Sequence, residues 1–471
     1  MRQQNKMQDF LGGENMDKIQ LLQERKAKIL SAAKEVRDDI FAVVDEGSFV
    51  ELSAFSFSKN DFYDESGEGE GVVTGYATID GYPYYVVAQN FKVFDGGVSK
   101  ASCDKIVKCL SAAEKNAIPV VYLLNTHGVQ VGEGVTVLEG LASVLMKATQ
   151  LNRNCTTQYV IVNGEVYGAA AMLAAIADFT LFVKKKSVLA INSPFVLSAK
   201  SGKNLTKEEV GSADALNKTG LVSLQVEDLA DAREKVCNLA ELFREKMIDA
   251  ELNESAPALN ECASPENLLS VFETSLEVCA NYEPEVKTIF GRIGGISVAA
   301  VIFDGGENGV ELTVSKIEKL KAFAETAYYY DLPFVTFTDV KGLCPCACAN
   351  NSRILKATAE YLETFNALDT PKIAVVYKKA IGLGYSLFAS KSIGFDYTCA
   401  FANAKIALFE SEQGAQIEFG NSGVDKAALA AKYADENADP VNAAKDGYID
   451  AIIEPQFVKQ YLIASLQMLA R

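Results

Sequence analysis

The 471-residue sequence predicts an α/β fold built as two similar halves, and three observations point there. An apolar strand-like run, a glycine turn and a helix of small residues occur twice. The first copy is Tyr159 to Val162, with Gly164 and then Gly168-Ala169-Ala170-Ala171-Met172-Leu173; the second is Ile373 to Val376, then Gly382-Leu383-Gly384-Tyr385-Ser386-Leu387. Around each copy strand and helix signals alternate, the pattern of parallel strands joined by crossover helices. The chain also exceeds the roughly 250–300 residues at which one core stops growing, so two domains are expected.

Taken in order, Lys18 to Val43 carries Leu21, Leu22, Ile29, Leu30, Val36, Ile40 and Val43 among charged residues, as a surface helix does, and Asp45-Glu46-Gly47-Ser48 ends it. Residues 1–44 are therefore expected to form a helical arm. Val72 to Ile79 and Tyr82 to Val87 are β-rich runs separated by Asp80-Gly81, a strong hairpin signal. Then come a helix over Lys105 to Lys115, a strand from Pro119 to Leu124, a helix over Val135 to Leu151, the strand at Tyr159 and the small-residue helix from Gly168. The first domain is expected over 45–248, and an acidic, proline-containing stretch places a linker at 249–284. In 285–471 the order returns: strand Ile296 to Phe303, helix Val314 to Tyr329, strand Pro333 to Phe337, helix Ser352 to Leu368, strand Lys372 to Val376 and the second glycine turn. The repeat is at domain scale, so similar cores are expected to carry similar sites.

A net charge of −17 argues against a nucleic-acid backbone or an anionic membrane as the main partner. A phosphate-bearing ligand must then find local lysines or helix N-termini, and Lys184, Lys185 and Lys186 are candidates, set against a solvated turn. The polar start Met1 to Asp17 lacks the apolar core of a signal peptide, and no run approaches the ~18 residues of a membrane span, so a cytoplasmic protein is expected. The ten cysteines show no disulfide spacing, and the Cys344-Pro345-Cys346-Ala347-Cys348 cluster is poorly spaced for a structural zinc site; no metal is expected.

A single histidine, His127, limits nucleophile–base–orienter schemes. It follows a strand, where α/β sites form, and a direct catalytic role is set against a structural or ligand-lining one. Neither GxxxxGK[ST] nor a strand-flanked GxGxxG is present. The paired glycine turns instead suit anion holes: glycine lets a ligand oxygen approach unpaired N–H groups at a helix start, where the helix dipole favours negative charge.

Several segments then converge on a family. Asp45-Glu46-Gly47-Ser48-Phe49-Val50-Glu51-Leu52, Gly71-Val72-Val73-Thr74-Gly75-Tyr76, Val87-Ala88-Gln89-Asn90-Phe91, Glu133-Gly134-Val135, Lys378-Lys379-Ala380 with Gly382 and Gly384-Tyr385, and Asn437 to Asp450 stand in an order that resembles the carboxyltransferase subunit of biotin-dependent acyl-CoA carboxylases and decarboxylases. That family is a two-domain branch of the crotonase-like superfamily. The resemblance implies duplicated crotonase-like (ββα superhelix) domains after the helical arm, an acyl-CoA side in the first and a biotin side in the second. It implies carboxyl transfer between carboxybiotin and the α-carbon of a small acyl-CoA, with the biotin anion removing the α-proton and two backbone anion holes holding the enolate and the ureido oxygen. The N-terminal hole would use Gly128, Val129, Gly168 and Ala169, and the C-terminal one Gly342, Leu343, Gly382, Leu383 and Gly384. Lys184, Lys185, Lys186, His127 and Gln130 would line the coenzyme A side.

No Ala-Met-Lys-Met biotin-attachment segment and no ATP-binding carboxylase segment is visible, so the resemblance places biotin on a separate carrier protein. Further implied partners are a biotin carboxylase or a membrane decarboxylase subunit and other copies of the chain, as a homohexamer. The chain departs from the family pattern at the first site. A family glycine is His127, an arginine is Gln130, a glutamine is Gly132, and Ala-Gly-Gly has become Tyr167-Gly168-Ala169. A decarboxylase running the transfer in reverse, a non-catalytic CoA-binding scaffold and a crotonase-type hydratase or hydrolase remain as alternatives.

Overall fold

The computed structural model describes residues 18–56, 68–249, 254–344, 352–420 and 425–469. The polar start Met1 to Asp17, residues 250–253 of the expected linker, and Pro345, Cys346 and Cys348 of the cysteine cluster lie outside the described residues. The chain forms two compact units, one of Met1–Leu216 with Gln225–Glu234 and a second of Asn217–Leu224 with Lys235–Arg471.

The arm is two helices, Lys18–Ala32 and Lys34–Val43, which bury Ile29, Val36, Ile40 and Val43. Buried Arg37 donates to the Ile29 carbonyl at 3.1 Å and pairs with Glu51 at 2.6 Å, tying the arm to strand β1 (Val50–Leu52). The predicted hairpin is β2 (Val72–Ile79) and β3 (Tyr82–Gln89), antiparallel with Ile79 opposite Tyr82. Its two turn residues, Asp80 (φ 53°) and Gly81 (φ 76°), both take the left-handed conformation that a two-residue turn between twisted strands requires.

From β3 the sheet becomes parallel through β4 (Val120–Thr126), β5 (Gln158–Tyr167) and β6 (Phe179–Val183), with β7 (Val188–Ala190) on the end of β5 and β8 (Leu224–Val226) beyond β6. The crossovers are helices Lys100–Asn116 and Val135–Arg153. The first starts in a capping box, Ser99 accepting from the Ser102 amide while Ser102 accepts from that of Ser99. The strand at Tyr159 is longer than expected and takes in Gly164. A Cβ there would lie 2.3 Å from Asn125 Oδ1 on β4, so this glycine makes room for a neighbouring side chain and is not a turn.

The second unit repeats the plan. β9 (Thr274–Val278), β10 (Val286–Ile293) and β11 (Ile296–Phe303) are antiparallel; β13 (Phe334–Leu343), β14 (Lys372–Ile381), β15 (Tyr397–Phe401) and β17 (Ala451–Ile453) continue in parallel, with β12 (Val310–Leu312) on β13 and β16 (Lys405–Ala407) on β14. Helices Val314–Tyr329 and Ile354–Ala367 are the crossovers. Within the stretch expected as a linker, Leu259, Leu268 and Val271 join the buried core of this unit, and Thr274–Val278 pairs with β10.

The duplication reaches the register of the ladders. Between β4 and β5 the pairing passes from Leu124↔Val162 to Thr126↔Val166, and between β13 and β14 from Thr338↔Val376 to Val340↔Ala380. In both units this slip falls just before the strand ends that carry the paired glycines.

Candidate functional site

In the first unit β4 runs out into His127-Gly128 and β5 into Gly168. Gly128 (φ 113°) and Gly168 (φ 76°) both hold conformations that favour glycine, and a Cβ built on Gly168 would lie 4.0 Å from Gly128 Cα. The Gly128 amide donates to Thr126 Oγ1 at 3.1 Å and that of Gly168 to the Ile191 carbonyl at 3.1 Å. Val98 donates to Gly128 O at 2.8 Å and accepts from Gln130 N–H at 2.9 Å, which turns the Val129 amide away from Val98. Among the described residues, the Val129 and Ala169 amides meet no acceptor. Ala169 lies in the first turn of a short 3-10 segment that leads into helix Ala171–Ile176, where orphan donors belong.

The second unit reproduces this arrangement. Gly342 has φ 105° and Gly382 φ 53°; Gly382 N–H donates to Ala407 O at 2.9 Å and Cys344 N–H to Leu312 O at 3.1 Å. A Cβ on Gly342 would come within 3.4 Å of the Ile381 carbonyl. Leu343 and Leu383 thus take the places of Val129 and Ala169. Gly384 has a packing reason of its own, since its Cβ would meet Val340 Cγ1 at 2.8 Å.

Side chains that the glycine pattern did not single out gather at the first pair. Glu165 and Tyr167, two apart on β5, share one face at the strand's C-terminal end. Glu165 Oε2 accepts from Tyr167 Oη at 2.9 Å and lies 3.7 Å from His127 Nε2, and Oε1 accepts from Lys207 Nζ at 3.3 Å. Burial pushes the Glu165 carboxyl up, but the bonds from Tyr167 and Lys207 outweigh it and hold the group below the ordinary carboxylate range. Burial and the same carboxylate push the Tyr167 phenol well above its usual range. The His127 ring meets Phe91 edge-on at 4.8 Å and Tyr167 at 6.0 Å. The i, i+2 spacing of an acid and a tyrosine before Gly168 was the available sequence signal.

Other candidates lie elsewhere. Gln130 is buried two residues past Gly128, with Nε2 on the carbonyl of Gly97 from the neighbouring loop at 3.3 Å. Lys184, Lys185 and Lys186 form the exposed turn after β6, where Lys184 pairs with Glu227 at 2.5 Å.

At the second pair the local charges are reversed. Counted back from Gly168 and Gly382, Glu165 in the first unit corresponds to Lys379 in the second; counted back from Gly128 and Gly342, Asn125 corresponds to Asp339. Lys378 donates to the Gly306 carbonyl at 3.1 Å and Lys379 to that of Asn308 at 3.0 Å, holding the glycine-rich 304–309 loop over Asp339. Asp339 is fully buried, neither carboxylate oxygen meets a partner at full hydrogen-bond geometry among the described residues, the Gly305 backbone lies close enough to favour the charged form weakly, and Lys378 Nζ is 4.0 Å away. Burial pushes this carboxyl up to about 6 against the pull of both lysines.

Among the described residues no group of three or more His, Cys, Asp or Glu is placed to hold a metal ion, and no helix is long and apolar enough to cross a membrane. The sheet order and the doubled strand-end glycines define a duplicated crotonase-like α/β protein with an N-terminal helical arm. The chain belongs to the carboxyl transferase domain family, whose model matches residues 32–471, and is an enzyme of carboxyltransferase type. It is 29% identical to the methylmalonyl-CoA decarboxylase subunit alpha of Veillonella parvula, with 96% of each chain covered. It is 28% identical to the propionyl-CoA carboxylase beta chain of Saccharopolyspora erythraea, over 93% of this chain and 88% of that one. Among solved structures, the transcarboxylase 12S hexamer with methylmalonyl-coenzyme A matches with a TM-score of 0.87 at 24% identity, covering 96% of this chain and 94% of that one.

Proposed function

We propose that this chain is the carboxyltransferase subunit of a biotin-dependent system, moving a carboxyl group between carboxybiotin and the α-carbon of a small acyl-CoA of the propionyl or acetyl type. The observation that carries the reading is the pair of amides, Val129 and Ala169, left without acceptors where Gly128 faces Gly168. Two amide donors at neighbouring strand ends suit the oxygen of a thioester enolate, and each such donor contributes roughly 3–4 kcal/mol in a transition state. Gly342 and Gly382 repeat the geometry with Lys378 and Lys379 close by. Gly342 holds a positive φ of 105° that favours glycine, and its bare Cα leaves the backbone open to a ureido oxygen. Biotin, carried on a separate carrier chain, would supply the carboxyl group and the base. During carboxyl transfer the side chains here orient, exclude water and hold charge.

The partners of this reading are a biotin carboxyl carrier protein, a biotin carboxylase and other copies of the chain in a homohexamer, in the cytoplasm. The likeness to a decarboxylase alpha subunit over nearly the full length favours a second reading, in which the transfer runs from the acyl-CoA to biotin beside a membrane decarboxylase subunit. The test is carboxyl exchange. Purified protein, free biotin and malonyl-CoA or methylmalonyl-CoA are followed by mass spectrometry for loss of the acyl-CoA carboxyl group. Biotin-dependent loss is expected; intact acyl-CoA, with the thioester bound, would count against carboxyl transfer.

A further inference from the structure

The family resemblance assigns the α-proton to biotin and leaves no side-chain base at the first site. This chain departs from that pattern at two positions flanking the paired glycines, His127 and Tyr167, and both side chains converge on Glu165. We propose that His127 is a general base at the first site, and that the chain exchanges the α-proton of a bound acyl-CoA with solvent in the absence of biotin. The inference rests on the acyl-CoA reading of Gly128 and Gly168.

The geometry supplies the parts such a step needs. His127 immediately precedes Gly128 and Tyr167 immediately precedes Gly168, so both residues stand at the strand ends that carry the two amides without acceptors. The imidazole is held by Phe91 at 4.8 Å and Tyr167 at 6.0 Å, and its backbone by a 3.1 Å bond from His127 N–H to the Asp95 carbonyl. At 46% exposure its side chain is open to substrate and water.

Glu165 is the orienting partner and not the base. Its Oε1 accepts from Lys207 and its Oε2 from Tyr167, while Oε2 stands 3.7 Å from His127 Nε2. A carboxylate on that side favours the proton on Nε2 and leaves the Nδ1 lone pair to act. In the step, the imidazole lone pair takes the α-proton and the C–H pair becomes the enolate double bond. The thioester carbonyl pair moves onto oxygen, where the Val129 and Ala169 amides stabilise it. The imidazolium exchanges its proton with solvent and returns it to carbon, so no oxidant or co-reactant is consumed.

The experiment uses the whole purified protein in D2O buffer with propionyl-CoA or acetyl-CoA and no biotin, and reads α-deuterium by mass spectrometry. Thioester affinity by calorimetry and biotin-dependent carboxyl exchange are measured on the same preparations. Wild type is expected to incorporate label at least tenfold faster than buffer. His127→Gln is expected to slow incorporation by about 100-fold or more, the contribution of a positioned base. Glu165→Gln, a change to a positioning residue, is expected to lower the maximal exchange rate while the KM for the thioester stays put, with Tyr167→Phe between it and wild type. Label at the buffer rate from a preparation that binds the thioester and transfers carboxyl would overturn the base assignment alone. Equal exchange in His127→Gln and wild type would do the same. Failure of both thioester binding and carboxyl transfer would overturn the acyl-CoA reading and this inference with it.

Discussion

A Cβ on Gly168 would stand 4.0 Å from the Cα of Gly128, though the two glycines end different strands and are separated by a whole crossover helix. The slip in the β4–β5 ladder is what brings these backbones together. A narrow gap between two bare backbones, with one amide beside each that meets no acceptor among the described residues, is the core of the proposed first site.

Gly168→Val tests that gap. At φ 76° a β-branched residue is strained, and its side chain would project toward Gly128. Biotin-dependent carboxyl exchange is expected to fall by roughly 100-fold, the scale of losing an oxyanion donor, while size-exclusion chromatography shows the assembly intact. Unchanged turnover would remove Gly168 from the site.

Gly164→Ala tests the companion contact inside the sheet. Its Cβ would lie 2.3 Å from Asn125 Oδ1 and 2.4 Å from Asn125 Cγ, so overpacking is expected to cost about 1–3 kcal/mol. Adding Asn125→Ala should return most of that loss. A double-mutant cycle on urea midpoints reads the coupling, and additive effects would contradict the contact.

Asp339 gives the second unit a pH dependence. Its folded-state value, raised to about 6 from an ordinary 3.8, means that the native state keeps a proton the unfolded chain has released. The stability contributed by the protonated form is present at acid pH and is lost as pH rises through about 6. At pH 7 the buried charge costs on the order of 2–3 kcal/mol. Asp339→Asn is therefore expected to melt higher than wild type at pH 7 and to lose that advantage near pH 4. A constant offset across the range, read by thermal melts, would contradict it.

The lysine turn gives a weaker effect. Lys184 is engaged by Glu227, whereas Lys185 and Lys186 are exposed and are proposed to meet coenzyme A phosphates. Lys185→Ala with Lys186→Ala is expected to weaken CoA binding several-fold at low salt, about 1 kcal/mol, and to have little effect at high salt. Calorimetry at two ionic strengths separates this from a solvated turn, which would show no change at either.

Much of the fold is legible in the chain itself. The Asp80-Gly81 hairpin, the helix at Val314–Tyr329 and the strand at Ile296–Phe303 stand where periodicity and turn chemistry put them, because these elements are fixed by local sequence. The glycine pairs were legible for the same reason, as positive-φ positions at strand ends. Two things were not. Gly164 read as a turn because the sequence does not reveal that Asn125, from another strand, needs its space. The Glu165, Tyr167, Lys207 and His127 cluster showed in the sequence only as the Glu165 and Tyr167 spacing, because its members are spread over some eighty residues and meet through strand register.

The sequence by itself determined a duplicated α/β chain, its strands, its positive-φ glycines and its family, since each depends on local pattern and ordered motifs. Only the tertiary structure decided which backbones face one another, which amides are left without acceptors, and that a histidine, a glutamate and a tyrosine share one corner. Those properties arise from long-range parallel pairing, where a slip of two residues changes every neighbour and no local signal records it.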